Sequence, residues 1–168
     1  MNKEQSIDWI IEQLGLEKHP EGGYFKEVYR SDERLSNLPE RFSGKRSVAT
    51  SIYFLLRGSD RSHFHRIKSD ETWHFYLGTT LVLHEIDSNG NYSKVQIGNN
   101  LANGESLQYT VKRGVWFGAE VLHKDSYALL GCSVAPGFDF QDFELARYDE
   151  LSATCPQQKD LIKQFCLS

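Results

Sequence analysis

An antiparallel all-β sandwich or barrel, with short helices near the two chain ends, is the fold class this 168-residue sequence predicts. Two observations lead there. From Val48 to Val134 the chain runs in short segments rich in β-branched and aromatic residues, the composition that suits pleated, half-buried strands. Glycines at 58, 78, 90, 104 and 114 punctuate those segments, and no helical periodicity intervenes. That spacing fits hairpin-connected strands and not alternating βαβ units. The length suffices for one real core, so a single domain over residues 1–168 is the expected organisation.

In chain order, Asn2 with Gln5 three residues later makes a capping-box pattern. Ile7, Ile10, Ile11 and Leu14 then recur at helical spacing, and Gly15 stops the helix. His19-Pro-Glu-Gly-Gly23 breaks the pattern: proline holds its predecessor extended, and the two glycines permit backbone angles other residues avoid. Tyr24–Arg30 reads as a strand, and 31–46 as a loop, polar and carrying Pro39 and Gly44. A loop that long is either functional, as a flap over a site, or flexible.

Strands follow at Val48–Leu56, within Gly58–Gly78, and at Thr80–Asp87, with Asn89-Gly90 turning the chain into Tyr92–Ile97. Further strands are expected at Ser106–Val111, Val115–Val121 and Tyr127–Val134. After Pro136-Gly137, the stretch FDFQDFELARYDEL suggests a strand or extended arm laid along the body, and Pro156 opens a helix with Leu161, Ile162 and Phe165 on its apolar side.

Charge narrows the partners. The 19 basic and 23 acidic side chains leave a net charge of −4, interspersed and without a basic run. Nucleic acid and anionic membranes are therefore not expected partners. Three cysteines without pairing or metal-ligand spacing fit reduced thiols. No apolar run approaches about 18 residues and no signal-peptide pattern is present. The expected location is cytoplasmic.

The chemistry concentrates between Gly58 and Gly78, GSDRSHFHRIKSDETWHFYLG. Side chains two apart on a strand share a face, so His63 and His65 are expected to point together, with Glu71 brought beside them by the next strand. Two imidazoles and a carboxylate suit Zn, Mn, Fe or Ni, which makes His63, His65 and Glu71 the candidate metal set and a divalent transition metal the candidate cofactor. The plainer reading makes His63 an ordinary polar strand residue. A metal-free alternative uses His65, with Glu71 and His74 beside it, as an acid–base group. A tyrosine such as Tyr53, Tyr76 or Tyr109 then donates from the other side. Trp73, Phe75, Trp116 and Phe117 form an aromatic set whose simplest role is core packing. Together, Trp73, Trp116 and Phe117, with Arg66 and Tyr76, are the candidate ligand contacts.

The stretch Gly58-x4-His63-x-His65-x5-Glu71-x6-Gly78 resembles the first cupin motif, and Gly104-Glu105 with Lys112-Arg113-Gly114-Val115 resembles the second. His19-Pro-Glu-Gly-Gly-Tyr-Phe25, Ser62-x-x-His65-Arg66, Asp70-Glu71-x-Trp73-His74 and Gly131-Cys132-x-Val134-Ala135-Pro136-Gly137-Phe138 resemble one uncharacterised cupin branch, a domain of unknown function. The resemblance implies a double-stranded β-helix (jelly-roll) barrel, usually dimeric and distantly similar to dTDP-sugar 3,5-epimerases. Where the second motif normally supplies a further histidine ligand, this chain has Phe117. The resemblance therefore implies a homodimeric cupin that binds a small polar or sugar-like metabolite, as an isomerase or epimerase. The alternatives are a non-catalytic ligand-binding or structural cupin and a metal-dependent enzyme.

Overall fold

Helix α1 (Ile7–Leu14) comes first in the computed structural model, which describes residues 6–167. Asn2 and Gln5, the expected capping pair, lie outside the described residues. Ser6 caps the helix instead, its Oγ accepting the Trp9 N–H at 3.1 Å. Gly15 ends it in the left-handed region at φ 61°, which glycine occupies without steric cost.

Thirteen strands follow among the described residues: β1 (Glu17–Lys18), β2 (Tyr24–Arg30), β3 (Arg34–Leu35), β4 (Arg46–Ser47), β5 (Thr50–Arg57), β6 (Arg61–Arg66) and β7 (Asp70–Gly78), then β8 (Leu81–Ile86), β9 (Tyr92–Ile97), β10 (Gln108–Val111), β11 (Trp116–Val121), β12 (Tyr127–Ala135) and β13 (Glu144–Leu145). They form a six-stranded sheet in the order β1-β2-β5-β12-β7-β10 and a five-stranded sheet in the order β13-β6-β11-β8-β9. Strands β3 and β4 pair separately. Every ladder is antiparallel. The fold is a jelly-roll sandwich, as the sequence predicts.

Alternation along each strand sorts the side chains into three cores. Phe54, Leu56, Trp73, Leu83, Phe117 and Leu130 fill the space between the sheets. Leu55 and Leu129 point the other way and are covered by Ile10 of α1 and by Leu16. On the far side, α2 (Tyr148–Thr154) and α3 (Lys159–Phe165) bury Leu151, Ile162 and Phe165 against Phe64 and Ile86. Both faces of β5 and β8 are thus partly covered, which explains their near-continuous apolar runs.

Two segments differ from expectation. The 31–46 loop is pinned by buried Phe42 and by Arg46, and none of its residues lines the main cavity. The stretch read as one extended arm after Pro136 instead comprises a turn, the short β13 and helix α2, where Asp149 and Glu150 occupy the first helical turn. Acids there complement the positive end of the helix dipole.

Candidate functional site

Strands β6 and β7 are neighbours in sequence but belong to different sheets. His65 and Glu71 therefore project toward each other from opposite walls, into a cavity of about 260 Å³. Glu71, Trp73 and Phe75 take the inner face of β7. On β6 the alternation is interrupted. Phe117 pairs with His65 and Ala119 with Ser62, so three steps on β6 match two on β11. This bulge re-aims side chains: Ser62 and His65 both face inward, and His63 does not follow His65.

The cavity floor centres on Glu21, delivered by the His19–Gly23 turn. A Cβ at Gly22 (φ 108°) would overlap the Arg61 carbonyl oxygen, and one at Gly23 (φ 74°) would lie 2.9 Å from Leu55 O. Only glycine lets the chain cross so close to β5 and β6. Glu21 Oε1 accepts the Ser62 hydroxyl at 2.8 Å, and Oε2 lies 3.0 Å from His65 Nε2 and 3.3 Å from His19 Nδ1. His65 Nδ1–H donates to the His63 carbonyl at 2.7 Å, so its Nε2 faces Glu21. His19 Nδ1 accepts the Glu21 backbone N–H at 3.3 Å.

The His65–Glu21 contact has ion-pair geometry, yet burial neutralises both partners. Burial lowers His65 to about 3, outweighing the His63 carbonyl bond that favours its charge. It also raises Glu21 well above the usual carboxylate range, with the nearby Glu71 charge adding to the effect and Ser62 opposing it. One proton thus sits between Oε2 and Nε2. Burial lowers His19 to about 4 and raises Glu71 to about 7, a rise that the Cys132 thiol limits by hydrogen-bonding to its carboxylate. The Cys132 thiol is itself pushed up by burial and by Glu71.

The candidate residues divide clearly. His65, Glu71 and Trp73 line the cavity, and Phe117 packs against His65 with ring centroids 4.0 Å apart. His63 turns out of the cavity, its Nδ1–H donating to the Glu21 carbonyl at 2.7 Å, and lines a separate surface cleft with Gly22 and Gly23. His74 lies away from the cavity, between Gln108 and Ser133. Tyr76 is also off the cavity, lying over Gly131 beside Tyr53. Trp116 packs with the C-terminal helices, and the Arg66 guanidinium covers it at 4.3 Å while binding Glu144. Tyr109 donates to Glu85.

The expected metal set is not assembled. His63 is turned away, Phe117 has no donor atom, and His65 Nε2 is engaged by Glu21. Among the described residues, no group of three or more His, Cys, Asp or Glu side chains is placed to hold a metal ion.

Residues not read from the sequence as site residues complete the cavity: His19, Glu21 and Cys132 at the floor, Arg30 and Glu27 from β2, and Phe138, Phe140 and Phe143 from the arm after β12. The signal for the first two was present. His19 and Glu21 flank a proline ahead of paired glycines, but read alone the segment specifies only a turn.

A sequence-family profile described as Cupin superfamily (DUF985) matches residues 8–146. The chain belongs to the cupin superfamily. This cupin is 39% identical to a protein of Shewanella oneidensis whose crystal structure superposes with a TM-score of 0.87, over 97% of this chain and 98% of that one. A hypothetical protein from Leishmania major is 37% identical, with a TM-score of 0.90 over 98% and 100% of the two chains. An uncharacterized protein of Saccharomyces cerevisiae is 29% identical over 148 residues, 82% of this chain and 73% of that one. Oxalate decarboxylase from Bacillus subtilis shares the fold alone, at 15% identity and a TM-score of 0.55 over 88% of this cupin and 36% of the larger chain.

Proposed function

We propose that this cupin binds a small polar metabolite in the barrel cavity and isomerises or epimerises it by metal-free proton transfer. One observation carries the reading: two buried, proton-holding groups face a single cavity from opposite sheets. The Glu21–His65 pair holds one proton between Oε2 and Nε2 that it can exchange with a ligand, while Ser62 and the His63 carbonyl fix its outer atoms. Glu71, raised to about 7, can occupy either protonation state near neutrality. A base on one face of a carbon and an acid on the other is what inversion or isomerisation next to a carbonyl requires. The cavity volume sits near the lower end of small-molecule sites, which suits a metabolite and not a polymer. A cytoplasmic location accompanies this reading, supported by three free cysteines.

The test has two arms. Native mass spectrometry of protein purified without added ligand should show a retained small molecule that denaturation releases. Incubated with that molecule in D2O, the wild type should exchange a carbon-bound proton for deuterium, followed by proton NMR. Glu21→Gln should lose at least ~100-fold in exchange rate, the low end of what acid–base catalysis contributes. Retention with no exchange would replace catalysis by binding alone.

A further inference from the structure

The charges and rings around the cavity define what kind of molecule it takes. Carboxyl groups reach it from four places: Glu21 and Glu71 at the floor, Glu27 on β2 and Asp139 on the arm. Among the described lining residues the one permanent cation is Arg30. Its charge is already engaged, because Nε and Nη2 bind the two Glu27 oxygens at 2.9 and 2.7 Å and Nη1 donates to the Phe138 carbonyl at 3.1 Å. The two floor imidazoles are neutral. No charged group among the described lining residues is therefore free to hold an anion.

The remaining wall is aromatic. Phe138, Phe140 and Phe143 lie edge to face, with centroids 5.0–6.2 Å apart, and Phe25, Phe54 and Trp73 continue the surface inward. Ring faces attract cations, and alkylated ammonium groups combine that attraction with apolar contact. A strongly hydrated inorganic cation would have to shed water against these rings and gain little. Trp73 adds a second requirement, since its buried indole N–H has no acceptor among the described residues. A ligand oxygen would satisfy it, and an unsatisfied buried donor is costly.

We infer that the cavity selects a small organic cation, an alkylammonium group that also carries an oxygen acceptor. The ammonium lies against the arm's phenylalanines and the Glu71 carboxylate. This rests on the reading of the cavity as the ligand site and narrows its ligand class.

Choline and 3,3-dimethylbutan-1-ol share shape and hydroxyl and differ in charge, so the pair isolates the effect. Calorimetric titrations of the full-length protein at pH 8, above the value near 7 for Glu71, should show choline binding about tenfold or more tighter than the alcohol. Glu71→Gln should erase most of that preference. Phe140→Ala, at an exposed rim position where folding is not at stake, should weaken choline several-fold more than the alcohol. Equal affinities, or tighter binding of the alcohol, overturn the cation inference while leaving the cavity as the ligand site. If neither probe binds, the cation inference falls, and the retained-ligand measurement alone then decides the function.

Discussion

Glu71 is the residue through which pH acts most directly on this fold. Its native value of about 7 stands above the ordinary 4.5, so between those pH values the native state holds more protons than the unfolded chain. Stability from this group is therefore complete below pH 4.5, falls as pH rises to 7 and is flat beyond. His65 has the opposite sign: with its native value near 3 against 6.5, stability is lost as pH falls from 6.5 toward 3. The two slopes oppose each other between pH 4.5 and 6.5, so the wild-type profile hides both. Glu71→Gln separates them. Relative to wild type, the variant should gain roughly 3 kcal/mol as pH rises from 4.5 to 7, the equivalent of the shift. Urea unfolding at several pH values measures it, and parallel profiles for the two proteins would refute the assignment.

Among the elements, the arm after β12 matters most to the site because it supplies three phenylalanines. It is fastened at several points. Gly137 N–H donates to Ser47 O at 2.7 Å, Phe138 N–H donates to Thr50 Oγ1 at 2.9 Å, and Arg30 holds the Phe138 carbonyl. The firmest fastening is a buried bidentate pair, Arg46 Nε and Nη2 on Asp142 at 2.7 and 2.8 Å, each side chain at most 4% exposed. Breaking such a pair leaves a buried charge without a partner. Asp142→Ala should therefore cost about 3–5 kcal/mol in chemical denaturation, with looser ligand retention in the same protein. A loss under ~1 kcal/mol would mean that the Ser43 and Lys45 carbonyls, which accept from Arg46 Nη1 at 2.8 and 2.9 Å, and solvent carry the load instead. The 31–46 loop thus serves the site indirectly: its last residues anchor the arm that covers the cavity.

For the whole molecule, the open question of partnership turns on the edge of the six-stranded sheet. Strand β1 pairs with only Tyr24 and Phe25 of β2, which among the described residues leaves the outer edge from Lys26 to Arg30 without a strand beside it. Val28 and Tyr29 on that edge are 47% and 54% exposed. The Glu144–Leu145 segment, by contrast, folds back as β13 on β6 of its own barrel. Unpaired edges invite strand addition, and two-fold pairing uses one patch twice. We propose that a second copy covers β2, giving a homodimer. Light scattering at micromolar concentration should give a mass near twice 19.3 kDa. A mass of one chain would refute it, and Val28→Lys should convert the dimer toward that mass.

The sequence by itself determined the strand-rich centre, the flanking helices and the strand faces that carry His65, Glu71 and Trp73 to one cavity, because alternation and turn residues act over a few neighbours. It could not determine which polar side chains meet there. His63 left the cavity through one bulge on β6, and bulges arise from pairing with β11, a strand about fifty residues away. His74, expected beside His65 and Glu71, and Trp116, expected to shape the pocket, are put outside by alternation and sheet packing. Glu21 entered because Gly22 and Gly23 let a distant turn cross β5 and β6. The aromatic wall came from an arm whose place is set by Arg46–Asp142, ninety-six residues apart in sequence. Local patterns record which face a residue takes. Which faces come together is decided by long-range packing, and so was the chemistry of the floor.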